Sequence, residues 1–424
     1  MPLSRKKSPG KRLSRQTGEM IRQVEIPSDA VRIGMYVVRL DREWTEVPLL
    51  FREFAVENED QLEVLRSHCF SVTVEMTESR LREMEKRNRH LLRKPLDEFP
   101  ENASLAEELP VAHEHLSNAQ SYINDLLRSV ERDHQLRLDG FQEVVKNCVT
   151  SIMSNASAMF WLTKIRHEDA YTAEHCLRVG VLAITFGRFL DFPEKDLQTL
   201  GMCGMLHDVG KMKIPNDVLN KPGALSPEEW QLMRQHPELG HQLLQEQEEL
   251  DPVVLDAALS HHERLDGTGY PNGVSGLNIS LFARLISIVD AYDAMTSDRP
   301  YMKGRSTAEA LKILYKCSGN QFDGRLVEVF IRMIGIYPSG SLVELDNGEI
   351  AVVVSSRPNQ KLQPVVEVVR DRDGNSCEPR VIDLAESAAN DNGSARKIRM
   401  ALPDGIDGFD LESYIRKRGG LDSK

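Results

Sequence analysis

Five histidines and two aspartates recur through the centre of the chain at intervals that each leave room for one helix and its connector. They are His175 in YTAEHCLRV, His207-Asp208 in HDVGK, His236 in MRQHPELG, His261-His262 in SHHERLDG and Asp290 in ISIVDAYDA, with steps of 32, 28, 25 and 28 residues between groups. The spacing suits a helical bundle in which successive helices each deliver one or two ligands to a common point. Such a set is too rich for one ion and suits two octahedral ions, with a carboxylate, most naturally Asp208, bridging them. Adjacent side chains on a helix diverge by about 100°, so the doublets are awkward for core packing. They serve as ligands where they lie at a helix end or face different coordination positions. Gly210, just after HDV, predicts a C-cap that ends its helix at the metal. Alone, His175 and His236 would read as ordinary partly buried or helix-surface histidines. The doublets carry the specificity, and Asp290 in its apolar run needs a partner or a metal. Nitrogen and oxygen ligands without sulfur favour Fe, Mn, Ni, Co or Zn over Cu(I).

The 424 residues suit about two or three domains. With 41% hydrophobic and 28% charged residues, most of the chain is expected to be globular. A net charge of −12 argues against a general nucleic-acid binder. Bound metal ions would still let an acidic protein hold an anionic substrate. The six cysteines form no Cys-x-x-Cys pair, which points to a reduced, cytoplasmic location rather than a thiolate zinc site or a disulfide framework. The basic start, MPLSRKKSPGKRLSR, is followed by no apolar core of a signal peptide, and the run VGVLAITFG is far too short to span a bilayer.

Around the centre the pattern changes twice. Short β-rich runs, MYVVRL and SVTVEM, flank a helical NEDQLEVLRS. Apolar residues from Leu138 to Phe160 follow helical spacing, with Cys148 and the methionines Met153 and Met159 read as core. Further helices are expected at roughly 169–189, 194–207, 227–246, 252–263, 280–296, 306–317 and 323–334. Hairpins follow with turns at Asp346-Asn347-Gly348 and near Asp373-Gly374. The expected plan is mainly α: a disordered basic tail (1–20), a small α+β N-terminal module (21–77), a charged linker (78–111), a helical-bundle catalytic domain (112–336), a short β-rich C-terminal extension (337–388) and a flexible tail (389–424).

HDVGK, HHERLDGTGYP and DAYDAMTSDRPY, in that order over roughly 130–336, resemble the signatures of the HD-GYP proteins, a subgroup of the HD-domain metal-dependent phosphohydrolases. Residues 22–77 resemble the small N-terminal domain often fused to HD-GYP, and 337–385 an extension seen in such proteins. The resemblance implies an HD-type all-α core that hydrolyses cyclic di-GMP to linear pGpG and, in some members, onward to GMP. By position it makes His175, His207, Asp208, His236, His261, His262 and Asp290 metal ligands and places Lys211 near the phosphate. It makes Asp266, Gly267, Gly269, Tyr270 and Pro271 the GYP loop. Some members hold a third metal with a glutamate four residues before the first histidine, where this chain has Tyr171. Two divalent ions, Fe or Mn foremost, and pGpG as main product are therefore expected. Met302 stands where many members carry a basic residue.

Asp208 and Lys211 are the catalytic candidates. Lys211, three residues past Asp208, would stabilise charge on the phosphate oxygens held by the metals. Arg299 is a candidate phosphate clamp, because a guanidinium fork matches phosphate, unless it pairs with Asp293 or Asp298. Gly267 and Gly269 permit backbone conformations other residues resist. Asp266 would fix the loop's shape, and Tyr270 would line the pocket or present a surface to a GGDEF-type or other signalling partner. A homodimer is left open. The competing readings are a catalytically weak cyclic di-GMP receptor and a di-iron oxygen-reactive protein. Retention of Lys211 and the GYP loop speaks against the second.

Overall fold

The structure is a computed structural model. It describes residues 12–13, 20–28, 31–40, 47, 54–69, 71–77, 101–165, 171–247, 250–297, 303–356, 362–386, 396–402, 406 and 409–420. The chain divides into two compact units, Met1–Lys94 and Pro95–Lys424.

In the first unit the β-rich runs become an antiparallel sheet. Strands β1 (Arg12–Leu13), β2 (Met20–Pro27), β3 (Tyr36–Leu40), β4 (Phe54–Ala55) and β5 (Ser71–Thr77) lie in the order β1-β2-β5-β3-β4. Helix α1 (Glu59–His68) starts where the Asn58 side chain accepts the Gln61 N–H at 2.9 Å, which satisfies one of the orphan amides of a first turn. Alternate residues such as Val37, Val72 and Val74 join Ile26, Leu62 and Leu65 in a core of their own.

The second unit is helical first. It contains α2 (Leu105–Asp133), α3 (Phe141–Ser154), α4 (Ala156–Leu162), α5 (Tyr171–Phe189), α6 (Glu194–Leu206), a 3-10 turn (Val209–Lys213), α7 (Asn216–Leu219), α8 (Pro227–Met233), α9 (His236–Gln245), α10 (Pro252–Ser260), α11 (Leu281–Thr296), α12 (Thr307–Lys316) and α13 (Gly324–Ile334). The helical part begins inside the expected linker: Ser104 and Glu107 form a capping box, and α2 runs on through Pro110. The apolar series from Leu138 to Phe160 is split at Asn155, and Met153, expected in the core, faces outward at 37% exposure while Met159 is buried. Asn155 is extended (φ −151°, ψ 104°), accepts from Ala158 N at 3.2 Å and donates to Ala103 O at 3.0 Å. The helix expected over 227–246 is two helices. Pro237 sits in the first turn of α9, where its missing N–H and fixed φ favour a start rather than an interior.

Both hairpins form, with β6 (Leu342–Leu345) on β7 (Ile350–Ser355) and β8 (Val365–Arg370) on β9 (Ser376–Asp383). The end of the chain departs from the patternless tail expected there. Strand β10 (Ile398–Leu402) adds to β6, giving the sheet order β10-β6-β7-β8-β9, and α14 (Leu411–Arg418) buries Leu411 and Ile415. The apolar face of that helix is what the loop-like composition concealed. Leu342, Ile350, Val352, Leu411 and Ile415 lie in one buried cluster with Phe141, Phe186 and Phe330 of the helices. The Trp161 indole N–H donates to Val353 O across that boundary at 3.0 Å.

Candidate metal centre

The helices bring all seven expected ligands to one place, largely at their ends. His175 lies on α5 and Asp290 on α11; His207 caps α6 with Asp208 next; His236 opens α9; His261 caps α10 with His262 beyond it. His175, His207, Asp208, His236 and His261 are buried, and His262 and Asp290 are half-buried. Two groups form, His175 with His207 and Asp208, and Asp208 with His236, His261 and His262, each with ligand atoms within 4.8 Å of one another.

The two oxygens of Asp208 face different halves. Oδ2 lies 3.5 Å from His175 Nε2 and 3.3 Å from His207 Nε2. Oδ1 lies 3.3 Å from His236 Nε2 and 3.8 Å from His261 Nε2. Asp290 Oδ1 completes the first half, 3.1 Å from His175 Nε2 and 3.8 Å from His207 Nε2.

Three of the imidazoles are oriented from behind by backbone carbonyls. His207 Nδ1 meets Gly204 O at 2.7 Å, His236 Nδ1 meets Met233 O at 2.7 Å and His261 Nδ1 meets Ala258 O at 2.9 Å. A carbonyl only accepts, so each Nδ1 carries a proton and each Nε2 is the atom turned inward. Inside, His236 Nε2 lies 3.3 Å from His261 Nε2 and 3.1 Å from His262 Nε2. His207 Nε2 and Asp208 Oδ1 are buried without a hydrogen-bond partner. Converging ring nitrogens and buried polar atoms without a partner are costly by themselves and fit divalent cations.

The electrostatics divide the same way. Burial drives His236 down to about 3 and His262 to about 4, and His261 is well below its usual range for the same reason. Burial also opposes the charge on His175 and His207, but Asp208 and Asp290 outweigh it. His207 rises to about 9, and His175, which also meets Asp293, is held well above its ordinary value. Burial likewise disfavours the two carboxylates' charge, yet the surrounding cations and hydrogen bonds hold Asp208 and Asp290 well below the usual range.

Lys211, in the 3-10 turn, places Nζ against Asp208 Oδ2. Gly210 is not the expected C-cap, since the 3-10 turn continues through it. It is a close-approach residue: a Cβ there would lie 2.0 Å from His236 O and 2.4 Å from Gly240 N. Only a glycine lets α9 come in far enough to bring His236 beside Asp208.

In the GYP loop, Asp266 is exposed and turned onto the loop itself. It accepts from Thr268 N at 3.0 Å and from Arg264 Nη2 at 3.1 Å, and Gly267 takes φ +74°. A Cβ on Gly269 would meet Arg264 N at 2.5 Å. Tyr270 stacks on His262 with ring centroids 4.7 Å apart and is joined to Pro271 by a cis peptide bond. Arg299 and Met302 lie outside the described residues, as does the side chain of Tyr171.

Three residues support the centre in roles not expected from sequence, where Asp293 entered only as a candidate partner of Arg299. Asp293, one turn past Asp290, accepts from His175 Nδ1 at 2.8 Å and from Arg178 Nε at 2.8 Å. Arg178 in turn reaches Glu174 at 3.3 Å. Buried Glu263, the letter after the double histidine, accepts from Asn272 N at 2.7 Å and Val274 N at 3.0 Å, tying the GYP loop to the ligand turn. The i, i+3 spacing of the two aspartates and the HHE triplet were the available signals.

Comparison with known proteins agrees with this geometry. An HD domain matches residues 156–326, a domain of unknown function (DUF3391) matches 23–141, and a KOW domain associated with HD domain matches 342–389. The chain is 32% identical over 377 residues to a cyclic di-GMP phosphodiesterase, PA4108, of Pseudomonas aeruginosa, covering 86% of this chain and 90% of that one. It is 38% identical over 169 residues to the cyclic di-GMP phosphodiesterase response regulator RpfG of Xanthomonas campestris pv. campestris, covering 40% and 45%. It is 38% identical over 149 residues to 3'3'-cGAMP-specific phosphodiesterase 3 of Vibrio cholerae, covering 35% and 32%. Among the described residues no helix is long and apolar enough to cross a membrane. With the HD domain matched and a relative aligned over nearly its whole length, the chain belongs to the HD-GYP family of metal-dependent HD-domain phosphohydrolases.

Proposed function

We propose that the chain hydrolyses cyclic di-GMP to linear pGpG for second-messenger signalling, with two divalent ions, Fe or Mn foremost, held by the seven ligands. The observation that carries this reading is Asp208, whose two buried oxygens face separate histidine groups. Bound there, the ions would supply Lewis acidity to the phosphodiester and a water made nucleophilic near neutral pH. Hydrolysis of the diester joins a water oxygen to phosphorus and breaks one P–O bond to a ribose oxygen, which takes up the water's proton. The protein's part is to fix the geometry. Backbone carbonyls and Asp293 hold the imidazoles in one tautomer. Lys211, 24% exposed beside Asp208, presents its ammonium to the oxygens on which charge develops.

The relatives named above as cyclic di-GMP phosphodiesterases support this substrate, and the cGAMP-specific relative supplies the competing cyclic dinucleotide for the test. Tyr171, standing where a third ion's glutamate would be, supports two ions and a halt at pGpG. A cytoplasmic location and a GGDEF-type or other signalling partner at the exposed loop around Asp266 complete the proposal. The test is incubation of the Mn-loaded protein with cyclic di-GMP, following products by chromatography. Accumulation of pGpG, lost in Asp208→Ala, is expected. Binding with no product would overturn it, as would 3'3'-cGAMP turned over in preference. Rapid conversion to GMP would overturn the two-ion stop.

A further inference from the structure

The rim of the metal centre carries two side chains that the hydrolytic chemistry leaves unused. Trp230, on α8, is 47% exposed although its indole lies 6.5 Å, centroid to centroid, from the Tyr270 ring. One turn on, the Arg234 guanidinium sits 4.7 Å from the centroid of that same ring. Arg234 N–H donates to Trp230 O at 3.0 Å, so the two side chains leave adjacent turns of one continuous backbone. Tyr270 is already engaged: its ring stacks on His262, and its N–H donates to His262 O at 3.2 Å. An aromatic strip thus runs outward from a metal-centre histidine, through Tyr270, and ends on an indole open to solvent.

The exposed indole at the outer end of that strip offers its apolar face to a flat ligand. Arg234 has no described carboxylate as partner, in a chain of net charge −12. It stands two residues before His236, at the edge of the centre. Stacking on an aromatic face tolerates any base, because each has a π-face, and a guanidinium fork matches phosphate oxygens.

We infer that Trp230 and Arg234 form the substrate's outer subsite, Trp230 stacking one purine base of the cyclic dinucleotide and Arg234 holding the phosphodiester that is not cleaved. The inference rests on the cyclic-dinucleotide reading above and assigns base recognition to α8, outside the GYP signature. It makes these two residues determinants of KM, while the metal centre sets kcat.

The experiment uses the full metal-loaded chain and its Trp230→Phe, Trp230→Ala and Arg234→Ala variants. Stopped-flow tryptophan fluorescence is recorded on mixing with cyclic di-GMP before turnover. Steady-state kinetics are measured on cyclic di-GMP and on methyl p-nitrophenyl phosphate, a diester without a base. Wild type should quench on binding, and Trp230→Phe should lose that signal while keeping its KM. Trp230→Ala and Arg234→Ala should each raise KM about tenfold, the scale of one stacked base or one lost phosphate contact, with kcat within about twofold. Cleavage of the base-free diester should be unchanged in all four proteins. A wild-type KM in Trp230→Ala would overturn the subsite. So would a slowing of the base-free diester equal to that of cyclic di-GMP, which would mark a structural lesion. Saturable quenching without product in wild type, abolished in Trp230→Phe, would refute the enzymatic reading and uphold the subsite.

Discussion

Asp208 works because it has no freedom. Fully ringed by imidazoles and Lys211, it presents one oxygen to each half of the centre. Replacing it with alanine should lower kcat by about three orders of magnitude or more and release at least one ion, as measured by turnover and metal content. Asp293 acts one step back. Asp293→Asn removes the charged acceptor that His175 Nδ1 and Arg178 Nε share. We expect divalent-ion affinity to fall about 10- to 100-fold, read by competition with a metal indicator. Protons compete with the ions for the same nitrogens. His207 is raised to about 9 because Asp208 and Asp290 outweigh burial, so at neutral pH an ion must displace its proton. Mn affinity should therefore strengthen as pH rises from about 6.5 to 8.5 and weaken as it falls, with protons released on binding in calorimetry. An affinity independent of pH would contradict this. The ligands themselves were legible in sequence because donor atoms must be of a few residue types at helix spacing. Asp293 and Arg178 were not, because their role appears only when α5 meets α11.

At the scale of elements, two local features place the ligands. Gly210 lets α9 approach the 3-10 turn, and a methyl group there would meet backbone rather than a yielding side chain. Gly210→Ala should destabilise the protein by about 2–4 kcal/mol and lower metal content together, by thermal melting and metal analysis. Glu263 holds the GYP loop through the Asn272 and Val274 amides. Glu263→Gln gives one of those amides a donor instead of an acceptor. Hydrogen exchange should quicken over 266–275 and KM should rise, with the ions retained. Sequence spacing found these elements but misread their joints. A proline after His236 was a start signal inside an apparently continuous helix, and a glycine after HDV looked like a cap because close approach and chain termination use the same letter.

For the whole second unit, the sheet and the last helix complete the helical core. Ile415, fully buried in α14, should on change to alanine cost about 2–5 kcal/mol and lower Tm without changing metal stoichiometry. The hairpins were legible from turn residues and alternation. The strand Ile398–Leu402 and α14 were not, since each is short and gains its stability from a surface far away in sequence. The shared core also bears on how the protein can be divided. The HD match ends at residue 326, yet Leu342, Val352 and Ile415 beyond it, and Phe141 and Ile152 before it, lie in the same buried cluster. A fragment trimmed to the match would carry every ligand of the centre and still open Trp161 and its neighbours to water. Apolar surface of that kind drives association. The stretch that carries the chemistry is thus shorter than the stretch that can stand alone, and insolubility of the trimmed fragment would say nothing about the chemistry.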